Sequence, residues 1–216
     1  MSAQTASLWQ KVISSKIMLF VLLEREIGNK DIVKVIESVQ GIVPKATPGK
    51  PILSLTQGIP STLMSAPGGN SIRLTNFVYS DKVRGALFME FNDRQQINNN
   101  LSILEKQAEV MEIPVYMREI DINLVLNGQL RCLDTPINSL KTINSPRYYS
   151  VIISGECPRS GNIREKPWRE IQVGINPEEA SQIIINGVLR DVQIKGEIEQ
   201  FLRDIETIYE KLIEHT

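Results

Sequence analysis

The sequence predicts an α+β fold: a mixed, mainly antiparallel sheet of about five to six strands, an N-terminal helical pair, one crossover helix at about 93–111 and a C-terminal helix at about 193–214. Three observations predict it. Two strand-like runs at 72–80 and 83–91 are separated by Asp81-Lys82, which suits a tight hairpin. Ile97, Leu101, Leu104, Ala108 and Met111 then recur at helical spacing between Asn92-Asp93, a capping pair, and the breaker Pro114. Ile194, Ile198, Phe201, Ile205, Ile208 and Leu212 form a heptad seam near the end of the chain.

The remaining elements follow in order. Trp9, Ile13, Ile17, Phe20 and Ile27 have the three-to-four spacing of a packed helix, although the apolar run 17–23 also suits a central strand. Gly28-Asn29 is a stop, and Ile32, Val35, Ile36 and Val39 give the second helix of the pair. Residues 44–70 hold five prolines and several glycines, and read as a long connection inside a single domain spanning 1–216, with at most a short strand at 52–55. A strand is expected over 115–126, and Asn127-Gly128 would return it as a hairpin through 130–133. Strands are expected at 148–154 and 168–175. Asn176-Pro177-Glu178-Glu179 has the cap, fixed φ and acids of a helix start, with Asn186-Gly187 as its end. No internal repeat is visible.

Composition narrows the function classes. Hydrophobic residues at 42% and charged residues at 23% are those of an ordinary globular chain. With 24 basic against 25 acidic side chains there is no overall field to steer the protein to nucleic acid or to an anionic membrane. Cys132 and Cys157 have no metal-binding spacing, which points to a reducing, cytoplasmic setting. No apolar run approaches the roughly twenty residues of a membrane span, so no membrane partner is expected.

The sole histidine is His215, the penultimate residue, so the sequence offers no imidazole for a nucleophilic triad, a zinc site or a general base in a cleft. Phosphate-cradling glycine motifs are missing, and Pro67-Gly68-Gly69-Asn70 precedes a strand and reads as a turn. Carboxylates are the remaining catalytic resource: Glu90, Asp93, Glu119 and Asp121 fall near the ends of strands and would have to converge to hold a divalent ion for phosphodiester chemistry. Basic and aromatic residues mix between 141 and 169, where Arg147, Arg159, Arg164, Lys166, Trp168 and Arg169 have the pattern of a single-stranded nucleic-acid surface.

Because the usual catalytic tools are missing, the expected function is that of a non-enzymatic interaction or assembly subunit with no cofactor, whose partner is another protein or a second copy. Three segments are candidate contacts: the 44–70 connection, the tip at 155–167, and the closing helix through Ile194, Ile198, Ile205 and Leu212. Against the last, Leu202, Tyr209 and Ile213 widen the apolar stripe beyond a two-position seam, as happens when a helix packs on its own domain. Nucleic-acid association and a carboxylate-metal phosphodiesterase are the alternatives.

Overall fold

The segment expected to form the first helix is a strand. In a computed structural model, which describes residues 8–42, 52–56, 59–65, 71–79, 81–130, 150–154 and 168–214, a short 3-10 turn precedes β1, Val12–Leu23. Ile17, Leu19, Val21 and Leu23 are fully buried and alternate with Lys16, Met18, Phe20 and Leu22, so the period is two. The helical spacing in the sequence arises because both faces of this strand carry apolar side chains, which leaves apolar residues at almost every interval. The helical pair is therefore corrected to a strand followed by one helix, α1, Asn29–Ile42.

The short strand allowed at 52–55 is β2 (Ile52–Thr56), and a second strand, β3 (Ile59–Ser65), also lies within the stretch expected to be a connection. The hairpin β4 (Ser71–Tyr79) and β5 (Lys82–Phe91) forms as expected, with Asp81 at φ 60° in its turn. Asp93 caps the next turn by accepting a hydrogen bond from the Gln95 backbone N–H at 2.9 Å, and α2 runs Ile97–Val110. The chain continues through β6 (Val115–Asn127), β7 (Gln129–Leu130), β8 (Ser150–Ser154), β9 (Trp168–Ile175), β10 (Gln182–Asp191), α3 (Ile198–Leu212) and β11 (Ile213–Glu214).

Among the described residues nine strands make one sheet in the order β2-β3-β4-β5-β1-β6-β10-β9-β8, larger than the five to six expected, and β7 with β11 makes a separate two-stranded ladder. Every pairing is antiparallel. Since β5 and β6 both run against β1, they are parallel to each other, and α2 is the crossover between them. Two turn signals had other uses. After Asn127-Gly128 the chain does not return along β6, because β10 occupies that ladder; the Gly128 N–H donates to Ser181 O at 3.0 Å and β7 pairs with β11 instead. Asn176 makes a turn, its side-chain oxygen accepting from the Glu178 N–H at 3.1 Å, and the β-branched Ile183, Ile184 and Ile185 carry the chain on as β10, with Asn186-Gly187 in mid-strand.

The helices share one side of the sheet. α2 packs on β1 and β5, α1 against α2, and α3 on β10. Ile198, Phe201, Leu202, Ile205 and Tyr209 are all buried there, over Gly187, where an added Cβ would lie 3.1 Å from Phe201 and Ile205. No helix among the described residues is long and apolar enough to cross a membrane.

The structure contains the repeat that the sequence hides. The first half orders its strands β1-β5-β4-β3 and ends in α2; the second orders β6-β10-β9-β8 and ends in α3. The halves meet along β1 and β6, with Leu19 opposite Ile120. Turning one half about that pair brings Met89, partner of Leu19, onto Leu189, partner of Ile120. The helix positions Ile97, Leu101 and Leu104 correspond likewise to Ile198, Leu202 and Ile205, all buried.

Candidate functional site

Among the described residues no helix covers the opposite face of the sheet. It is concave: Tyr79 on β4 lies 6.1 Å from Tyr116 on β6 by ring centroids, although β5 and β1 run between their strands. The hollow is a cleft of about 490 Å³. Alternation on β1 turns Met18, Phe20 and Leu22 into it, while Phe77, Ala86 and Phe88 complete its apolar wall.

One cross-strand row organises the chemistry. Arg73 pairs with Phe88, Phe88 with Phe20, Phe20 with Glu119, Glu119 with Arg190 and Arg190 with Trp168, across six adjacent strands. The Phe20 and Phe88 rings stack at 5.5 Å and 25°, and the Arg73 guanidinium lies 5.2 Å over Phe88. Glu119 and Arg190 form an ion pair. Lys16 and Glu90 form another at 3.0 Å where the cleft opens; both side chains are about half exposed, 51% and 50%, so this pair adds little stability.

Asp121 stands beside the cleft on β6, outside its lining. Burial, and then the charge of Glu119, push its carboxyl up to about 7, with Arg190 acting in the opposite direction. Its Oδ1 is buried without a hydrogen-bond partner. Behind the aromatic row, Arg84 is only 5% exposed; it donates to the Glu24 carbonyl at 3.1 Å and to the Glu24 carboxylate at 3.0 Å, and its guanidinium lies 3.7 Å over the Tyr116 ring.

The carboxylates considered as a metal site do not converge. Asp93 caps a turn, Glu90 pairs with Lys16 and Glu119 with Arg190, and among the described residues no group of three potential ligands lies together. Of the basic and aromatic set, Arg147, Arg159, Arg164 and Lys166 lie outside the described residues, as do the 155–167 tip, Pro67–Asn70, both cysteines and His215. Trp168 falls on the open face in line with Phe20 and Phe88, whereas Arg169 is on the helix side, paired with Glu197. Ile194, Ile198 and Ile205 are buried and Leu212 packs against the same core, so this seam closes on the chain's own sheet.

Arg73, Phe20, Phe88 and Arg190 were not singled out from sequence. The signal that finds them is the apolar identity of both alternating sets in 17–23: a strand with one covered face and one open face should be polar on the second. Compared with known proteins, the chain matches no family model and no curated protein.

Proposed function

We propose that this chain is a non-enzymatic interaction or assembly subunit whose working surface is the concave face carrying Phe20 and Phe88. The contrast between the two halves carries this reading. At the register that superposes them, Phe20 corresponds to Asp121, Phe88 to Val188, Leu22 to Asn123 and Ala86 to Asn186. The second half thus has the polar composition expected of an uncovered sheet face, with Asn123 and Asn186 hydrogen-bonded to each other. The first half has the same architecture with an apolar surface, and a contiguous apolar patch on an open face marks a place of binding. Lys16 with Glu90 and Glu119 with Arg190 line the cleft as ion pairs, and the raised carboxyl of Asp121 stands outside its lining, which favours holding over transforming.

Affinity capture from the native host tests this. Proteins retained by the unaltered chain should be lost with Phe88→Glu and kept with Gln172→Glu, which adds the same charge on the polar half. Identical capture by the two variants would sink the reading.

A second reading, single-stranded nucleic-acid binding, is favoured by the aromatic row with Arg73 and Arg190 at its flanks. Glu90, Glu119 and Asp121 on the same face oppose a polyanion. Binding to a labelled oligonucleotide at two salt concentrations separates the two, since phosphate contacts weaken steeply with salt.

A further inference from the structure

We propose that two copies of this chain join through β8, edge to edge and antiparallel, so that Ile152 lies opposite Ile152 of the partner subunit and the two sheets become one. The contact is at the far edge from Phe20 and Phe88 and does not depend on the interaction reading.

Among the described residues β8 pairs on one side only, with β9, and it ends the nine-stranded order opposite β2. An edge strand offers a row of backbone N–H and C=O groups to a strand laid beside it, and proteins commonly guard such an edge with lysine, proline or a bulge. Ser150–Ser154 has neither charge nor proline. Its register with β9 runs without a shift from Ser150 opposite Gly174 to Ser154 opposite Glu170.

Both faces of this edge expose apolar side chains. Ile152, opposite Gln172 on the open side of the sheet, is 60% exposed, and Ile153, on the helix side, is 42% exposed. Ile153 lies opposite Ile171, which is buried, so the apolar layer beneath the helices runs out to the edge and stops there. A further strand would extend that layer together with the ladder.

The order of residues in β8 selects the occupant. Ser-Val-Ile-Ile-Ser reads almost the same in both directions. Antiparallel pairing about Ile152 sets Ser150 against Ser154, Val151 against Ile153 and Ile152 against itself, so hydroxyl meets hydroxyl and β-branched side chain meets β-branched side chain. A contact that is its own complement about a twofold axis closes at two copies. The axis stands perpendicular to the joined sheet, which leaves both open faces on one side. From β1 to β1 the two copies are then nine strand spacings apart, about 43 Å along the sheet.

A five-residue edge is a small contact, so the dissociation constant should be on the order of 10–100 μM. Sedimentation velocity of the whole chain from about 2 to about 200 μM should show one chain giving way to two, with nothing larger. Ile152→Lys and Ile152→Glu each place like charges opposite one another, and each should weaken pairing at least about tenfold. Mixed in equal amounts, the two variants should pair again, Lys opposite Glu. Val78→Lys, at an exposed position on β4, and Phe88→Glu, in the cleft, should leave the dimer intact. Loss of the dimer and loss of host capture are thus separate outcomes. Hydrogen exchange of the unaltered chain gives a readout free of any folding defect in a variant: amides of 150–154 should exchange more slowly as concentration rises. A chain that stays single at the highest concentration, a dimer that both Ile152 variants leave intact, a mixture that does not pair, or growth past two copies, as β8 pairing with β2 would give, overturns the proposal.

Discussion

At the scale of single residues, Asp121 is the side chain whose environment departs furthest from the ordinary. Its carboxyl is raised from 3.8 to about 7 by burial first and Glu119 second. A group whose folded-state pKa is raised contributes stability that is fully present below its unfolded value and is lost as pH rises through the folded value. Unfolding in urea should therefore show a loss of stability between about pH 4 and pH 7, where the native chain keeps a proton that the unfolded chain releases. Asp121→Asn removes the ionisation; it should stabilise the protein by on the order of 1–3 kcal/mol at pH 8 and flatten this part of the profile. An unchanged profile in the variant would assign the titration elsewhere. Arg84 is also a buried charge, bonded to Glu24 through Nη1 while its Nε is buried without a partner. Arg84→Met leaves the Glu24 carbonyl without its donor and should cost about 2–4 kcal/mol, read as a lower urea midpoint with an unchanged slope. Trp168 was legible from sequence as an aromatic among cations. Phe20 and Phe88 were not, because an apolar residue in an apolar strand reads as core until the covering layer is known.

At the scale of elements, the two long helical stripes and the Asp81-Lys82 hairpin were legible, while the period of 9–27 and the roles of two asparagine turns were not. The crossover and closing helices lie close to where their apolar spacing puts them, because a stripe at 3.6-residue spacing has no other way to be buried on one side. Asn127-Gly128 and Asn176-Pro177 carry sound local signals, yet tertiary pairing decided their use: β10 docks on β6 and leaves the first pair as an exit from the sheet. Close approach is likewise invisible in a sequence. At Gly85 an added Cβ would lie 2.5 Å from Ile27 Cγ1 and 3.1 Å from the Arg25 carbonyl oxygen, to which the Gly85 N–H donates at 2.9 Å. The segment after β1 can fold over β5 only because no side chain is there. Gly85→Ala should lower stability by about 1–3 kcal/mol, with hydrogen exchange quickening around residues 24–28 before it does so in β6. A variant as stable as the parent would show that Ile27 can move aside.

At the scale of the whole molecule, two similar halves share one sheet, and the ladder between β1 and β6 is where they become a single structure. The pattern escapes a reading of the sequence because topology and burial repeat while residue identity does not: Phe20 corresponds to Asp121 and Ala108 to Tyr209. The same divergence lets one half keep a polar face while the other carries an apolar one. Leu19 and Ile120 lie opposite each other at the junction, both buried in one core that runs through both halves. Leu19→Ala should therefore cost about 2–5 kcal/mol and weaken both halves together. If the junction holds them as one cooperative unit, hydrogen exchange followed by mass spectrometry will show β5 and β10 losing protection equally in this variant, while unfolding stays a single transition. Loss confined to β5, or a second transition, would mean that each half carries its own stability and that the shared sheet is a contact between two independent units.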